Sequence, residues 1–234
     1  MSSEATTSIR SFSTGATMTS APTTAQLSEN SDLIASLHAL QTKSKKLVNS
    51  TFYPAPADSS IKVRSWKMNE LRYYDVPSPF PTLARGLFTR EMPNDSRKDG
   101  EAAGKTYEIV ARGYDKFFNI GEVPWTTVSF FLFLFLLFFI DCTSQWPSIE
   151  THTTAPYTLS LKSNGCIIFI AALTPTKLLI TSKHSIGPIE GVEKSHAQAG
   201  EMWLRKHLES KGKTEADLAT RLWESNLTAI AEVI

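Results

Sequence analysis

The chain has 234 residues, with 24 Lys+Arg against 23 Asp+Glu and a formal net charge of +1. That balance excludes a histone-like or polybasic nucleic-acid binder, while leaving room for a local basic cleft. The two cysteines, Cys142 and Cys166, exclude a disulfide scaffold and a four-cysteine zinc site, and a hydrophobic content of 41% is that of a soluble, intracellular protein of one domain or two small ones.

Fifteen of the first 32 residues are Ser or Thr and Arg10 is the sole base, so residues 1–32 are expected to be disordered, without a secretory signal. Asp32 is placed to cap a short helix in which Leu33, Ile34, Leu37 and Leu40 share a face, and residues 33–60 read as that helix and a linker. Lys43, Lys45 and Lys46 follow it as a solvated helix end or, secondarily, a phosphate-contacting patch. From Ile61 the pattern changes to short strands. Pro77, Pro79 and Pro81 break the chain before a strand at Leu83–Thr89, and Asn94 to Gly104 is a polar loop. Tyr107–Arg112 reads as a strand bent at Gly113, and Tyr157–Leu161 alternates as a half-buried one. Cys166–Leu173 is a continuous apolar strand, and Pro175 turns the chain into another at Leu178–Ser182. Ser195 to Lys211 fits a helix ending at Gly212, Thr214 with Asp217 opens a second in capping-box style, and Thr228–Ile234 is a last strand. The pattern predicts an α+β fold with mostly antiparallel strands.

Phe130–Ile140 stands apart, with six Phe, four Leu and one Ile in eleven residues. It is too short to span a bilayer, for which about 20 apolar residues are needed. A buried strand or a membrane-surface hairpin is the conventional reading. Codon logic offers another: Val128 supplies a leading GT, Gln145 can supply a terminal CAG, and the Phe, Leu and Ser codons between them are pyrimidine-rich. We read Val128–Gln145 as a translated intron retained in frame, whose removal joins Thr127 to Trp146.

The chemistry-bearing residues are basic. Lys162-Ser-Asn-Gly165 sets an amine before a turn closed by glycine, although Lys-x-x-Gly alone turns up about once by chance in a chain of this length. An amine nucleophile must be neutral, and nearby cations depress its pKa while holding a polyphosphate. Arg85, Lys116 and Lys183 are the candidates, each at a strand end or turn beside a glycine or an aromatic; as isolated residues they are ordinary surface cations. Gly212-Lys-Thr214 lacks the first glycine of a phosphate-binding loop, the five histidines have no metal-ligand spacing, and no Gly-x-Ser-x-Gly elbow is present.

Taken in order, Ala84-Arg-Gly-Leu-Phe88, Arg112-Gly-Tyr-Asp-Lys-Phe-Phe-Asn119, Lys162-Ser-Asn-Gly165 and Ser182-Lys-His-Ser185 resemble the N-terminal ligase domain of fungal tRNA ligases. Ser65-Trp-Lys67, Gly121-Glu-Val-Pro124, Gly200–Leu208 and Thr228–Glu232 extend the likeness over roughly residues 60–234. It implies an antiparallel-sheet covalent nucleotidyltransferase core over 61–234, incomplete at its C-terminal side, that uses ATP and Mg²⁺. Lys162 is implied as the residue that takes AMP and passes it to an RNA 5′-phosphate, so that tRNA halves are sealed during tRNA splicing. Arg85, Lys116, Phe118, Gly165 and Lys183 are implied nucleotide-pocket residues, and Glu232 is implied as the acid that meets the ribose or the metal. The resemblance also implies partners limited to tRNA halves or other RNA ends, a monomer without membrane attachment, and a place in the nucleus or cytoplasm. A further acidic metal motif and a Lys-x-Lys strand, expected downstream, do not occur before Ile234, nor do the kinase and cyclic phosphodiesterase domains. The chain as written is therefore expected to have little or no catalysis of its own. The competing expectations are a non-catalytic RNA- or ATP-binding remnant, a membrane-associated protein using Phe130–Ile140, and another nucleotidyltransferase such as a DNA ligase or capping enzyme.

Overall fold

The structure, a computed structural model, describes residues 24–75, 77–92, 105–118, 154–158 and 164–234. Val128–Gln145, the Asn94–Gly104 loop and Lys162 lie outside the described residues.

Helix α1 spans Thr24–Lys43. Its apolar face is the expected one, with Ile34 and Leu37 fully buried and Leu33 and Leu40 packed beside them. Its start is not: the helix begins at Thr24 rather than at Asp32. Residues 1–23, which hold most of the Ser and Thr that argued for disorder, lie outside the described residues, and within the helix several hydroxyls fold back onto the backbone. Ser31 Oγ donates to the Leu27 carbonyl at 2.7 Å, Ser36 Oγ to Asp32 at 2.9 Å and Thr42 Oγ1 to His38 at 3.0 Å.

Residues 48–60 are not a linker. Strand β1 (Val48–Ala55) pairs antiparallel with β2 (Asp58–Met68), in register from Val48 opposite Met68 to Pro54 opposite Lys62. Pro54 is tolerated because β1 is the edge of its sheet, where an absent N–H costs no ladder bond. A 3₁₀ turn follows at Glu70–Tyr74, capped by Asn69, whose side chain accepts the Leu71 N–H. Then come β3 (Leu87–Glu91) and β4 (Tyr107–Arg112), completing a four-stranded antiparallel sheet in the order β1-β2-β3-β4. The strand expected from Leu83 begins only at Leu87, and the strand expected at Tyr157–Leu161 lies largely outside the described residues.

The second sheet is three-stranded. Strand β5 (Cys166–Thr174) lies between β6 (Lys177–Ser182) and β7 (Ala229–Val233), all antiparallel. Helix α2 (His196–Ser210) and α3 (Glu215–Ser225) connect β6 to β7. Both open on full capping boxes, Ser195 with Gln198 and Thr214 with Asp217.

These elements stack in four layers. Ile34, Trp66 and Leu87 fill the space between α1 and the larger sheet. Val63, Phe88, Phe169, Ala171 and Leu179 fill the space between the two sheets. Ile168, Ile170, Ala219 and Leu222 fill the space between the smaller sheet and the last two helices. Strand β5 is thus covered on both faces, which is why its sequence is an unbroken apolar run. The Arg90–Glu108 ion pair at 2.5 Å sits at the inter-sheet rim, where Arg90 also donates to the Leu173 carbonyl at 3.2 Å. Among the described residues no helix is long and apolar enough to cross a membrane.

Candidate active site

Lys162 itself lies outside the described residues, but Gly165, three positions further on, lies within them. The Gly165 amide donates to Glu232 Oε1 at 2.8 Å, and the β5–β7 register sets Ile167 opposite Glu232 and Cys166 opposite Val233. A Cβ on Gly165 would lie 2.3 Å from the Val233 carbonyl oxygen, so the close approach of β7 requires glycine there.

Arg85 and Lys116 come from two short segments that run side by side. Arg85 N–H donates to the Tyr114 carbonyl at 2.9 Å, Gly113 to Gly86 at 2.8 Å and Lys116 to Leu83 at 2.9 Å. Gly86 has φ +103°, and a Cβ there would fall 2.3 Å from Phe169 Cε2 and 3.0 Å from the Lys183 carbonyl oxygen. The Arg85-Gly86 dipeptide is therefore seated directly on the ring of β5 and against the end of β6.

Lys183 leaves the end of β6 and donates to Glu70 Oε1 in the 3₁₀ turn. His184 Nε2 stands 3.7 Å from the same oxygen, and Ser65 Oγ ties the His184 carbonyl to β2 at 2.8 Å. Burial works against the ionised Glu70 carboxyl, yet the Lys183 hydrogen bond and the charges of Lys183, His184 and Arg85 outweigh it and hold Glu70 below its ordinary range. Burial and then the Lys183 charge keep His184 below its usual value despite Glu70. Tyr73, in the same turn, donates to the Ala84 carbonyl at 3.0 Å, and burial foremost, with the Glu70 charge behind it, pushes its hydroxyl up to about 12.

Lys116 is enclosed by aromatics. Its Nζ lies 5.2 Å from the Tyr74 ring centroid and 5.0 Å from that of Phe118, and the two rings meet edge to face at 5.8 Å. It also donates to the Phe117 carbonyl at 2.5 Å.

The 3₁₀ turn thus joins the candidates: Glu70 takes Lys183 beside Arg85, and Tyr74 takes Lys116 with Phe118. Gly165 and Glu232 form a separate pair, and among the described residues no hydrogen bond or ion pair joins the two groups. A cavity of about 220 Å³ between α1, β4 and α3 contains none of these side chains. Sequence reasoning passed over Glu70, Tyr73 and Tyr74; the available signal was an acid just after Ser65-Trp-Lys67, in a neighbourhood otherwise rich in cations.

The sequence model of a family described as RNA ligase matches residues 83–131 and 141–234. The chain belongs to the RNA ligase family. It is 39% identical over 203 residues to tRNA ligase 1 of Schizosaccharomyces pombe, covering 81% of this chain and 22% of that protein. It is 33% identical over 207 residues to tRNA ligase of Candida albicans, covering 82% of this chain and 20% of that protein. This RNA ligase chain therefore spans about a fifth of the length of the curated relatives it matches.

The donor set suits a ligand that carries phosphate groups. Arg85, Lys116 and Lys183 are cations suited to phosphate oxygens, and Tyr74 and Phe118 give an apolar wall beside them. Among the described residues no group of three or more His, Cys, Asp or Glu could hold a metal ion. A Mg²⁺ ion suits such a site through substrate phosphates and water, with one or two carboxylates at most.

Proposed function

We propose that this chain supplies the nucleophile and nucleotide-contacting part of an ATP-dependent tRNA ligase that seals tRNA halves through lysyl-AMP. The observation that carries the reading is the convergence of Arg85, Lys183 and Lys116 on one 3₁₀ turn beside β5, in a member of the RNA ligase family similar to fungal tRNA ligases. The neutral Lys162 amine attacks the α-phosphorus of ATP. A P–N bond forms as the P–O bond to pyrophosphate breaks, and the amine releases a proton. Arg85 and Lys183 take up phosphate charge, Lys116 with Phe118 and Tyr74 borders the nucleotide, and Gly165 fixes the turn after the nucleophile. Glu232 holds Gly165 and would meet the ribose or the Mg²⁺, which when bound through the substrate phosphates would neutralise triphosphate charge and favour pyrophosphate departure. The AMP then passes to an RNA 5′-phosphate as the P–N bond breaks and the Lys162 amine is regained, and the 3′-OH of the partner strand attacks that phosphate and expels the AMP, in a monomer of the nucleus or cytoplasm.

The domain reading belongs to the same proposal with its boundary moved: β1 and β2 form one sheet with β3 and β4 and pack against α1, so the partial nucleotidyltransferase domain includes α1 and β1 rather than beginning at residue 61. The family match passes over 132–140, within Val128–Gln145, which supports reading that stretch as an insertion from a retained intron.

The test joins this chain to the segment that follows the matched part of the S. pombe relative and incubates it with ATP and Mg²⁺. The expected product carries one AMP on Lys162, mapped by mass spectrometry and absent from Lys162→Ala. Failure of the joined protein to take AMP on Lys162 sinks the reading in favour of a binding remnant.

A further inference from the structure

A second basic feature lies next to the Glu70 cluster. A groove of about 460 Å³ opens at the end of the β1–β2 hairpin, lined by Lys45, Lys46, Asn49, Lys67, Asn69 and Glu70 among others. The ladder sets Asn49 directly opposite Lys67. The turn carrying Lys45 and Lys46 is held in place by backbone bonds from Leu47 and Val48 to the Ser44 carbonyl, at 3.0 and 3.2 Å. Asn69 fastens it from the other side, its amide N–H donating to the Leu47 carbonyl at 2.9 Å and its Nδ2 to the Lys46 carbonyl at 3.2 Å. The lysines therefore project from fixed backbone.

Charge in this groove is one-sided. Lys45, Lys46 and Lys67 are exposed, and no carboxylate among the described residues lies within ion-pair distance of any of them. The one acid of the groove, Glu70, is already held by Lys183. Three ammonium groups, none of them paired with the groove's single acid, make a local field that favours a polyanion, even in a chain of near-zero net charge. The groove is also continuous with the candidate active site. Glu70 lines one and anchors the other, and the charge of Lys67 reaches His184.

We propose that this groove is a track for the backbone phosphates of a single-stranded RNA end, leading it to the Arg85–Glu70–Lys183 cluster. Charge alone would accept any polyanion; the choice of RNA rests on the RNA ligase reading, as does the direction in which the strand is fed. Phosphate contacts of this kind position a strand without reading its sequence. Asn49 and Asn69 add amide groups along the walls, and Leu71, 78% exposed at the lip, adds an apolar contact for a base or ribose.

The experiment uses the chain as it stands. Binding of a fluorescent single-stranded RNA of about 12 nucleotides is followed by anisotropy from about 50 to 200 mM salt. The chain is compared with the triple variant Lys45→Gln/Lys46→Gln/Lys67→Gln and with a control of equal charge change, Lys206→Gln/Lys211→Gln/Lys213→Gln. The groove variant is expected to lose about tenfold or more in affinity, and its log K against log salt slope is expected to become shallower by about 2, at about 0.7 per phosphate contact. The control is expected to keep both values. The proposal is overturned if the groove variant binds as the wild type does, if both triple variants weaken alike, or if the wild-type chain does not bind RNA. AMP transfer to Lys162 in the joined protein described above, measured without RNA, is an independent readout: its failure removes the proposed function and leaves the binding result standing.

Discussion

The Glu232 carboxylate accepts the Gly165 amide at 2.8 Å, across 67 residues of sequence. One side chain of the last strand thereby holds Gly165, immediately before β5 and three residues after Lys162. Replacing Gly165 by Ala puts a methyl 2.3 Å from the Val233 carbonyl, a backbone atom that cannot yield without moving β7. A loss of about 1–3 kcal/mol in urea unfolding is expected. Glu232→Gln keeps an acceptor oxygen and is expected to cost less than about 1 kcal/mol. Equal stability of Gly165→Ala and wild type would contradict the close β5–β7 approach.

Glu70→Gln tests the hub of the site. Its ion pair with Lys183 is partly solvated, so stability is expected to change by less than about 1 kcal/mol. Lys183 then loses the acid that orients it, and Arg85 loses a nearby carboxylate charge. In the AMP-transfer assay of the joined protein, a fall in rate of about 10- to 100-fold is expected, with Glu70→Asp recovering part of it. A change confined to KM for ATP would instead mark Glu70 as affecting nucleotide binding alone.

Acid should weaken the same cluster in two stages. His184 and Glu70 both titrate below their ordinary values of 6.5 and 4.5, so each contributes stability that is present above its ordinary value and lost as pH falls through its lowered one. The first loss should begin below about pH 6.5, where the unfolded chain's histidine takes a proton that His184, buried beside Lys183 and Lys67, resists in the fold. The second should begin below about pH 4.5, where the unfolded glutamate takes a proton that Glu70, held by Lys183, resists. Thermal unfolding across this range is expected to show both stages, and His184→Gln is expected to remove the first.

Tyr73 governs the alkaline side. Its hydroxyl is raised to about 12, so its contribution is complete below about pH 10 and fades as pH rises through that value. The span corresponds to roughly 2–3 kcal/mol. Tyr73→Phe should cost about 1 kcal/mol at neutral pH, through the lost bond to the Ala84 carbonyl, and flatten the decline between about pH 10 and 12. An unchanged alkaline arm in the variant would assign the decline to other groups.

What could be read from the sequence was what local chemistry determines. Ser195 and Thr214 with Asp217 marked real caps, and the apolar run from Cys166 marked a strand buried on both faces. The start of α1 was hidden because Ser and Thr look alike whether they solvate a loose chain or bond back to a helix, as Ser31 and Ser36 do. Strand β1 was hidden by the edge position that excuses Pro54. At the candidate site, Arg85, Lys116 and Lys183 were readable as cations, whereas Glu70 acquires its meaning only from Lys183, 113 residues further on. No local pattern encodes a partner at that distance.

The order of strands around β5 has a consequence for how the protein is made. Strand β6 follows β5 almost at once, but β7 arrives only after α2 and α3. At about 5–20 residues per second, the edge of Cys166–Ile170 stays unpaired for several seconds after its synthesis. During that interval the strand next to Lys162 is an open template for another nascent chain. Slowing or pausing translation between codons 183 and 229 should therefore raise the insoluble fraction, and a prolonged need for chaperone cover is built into the site's own architecture.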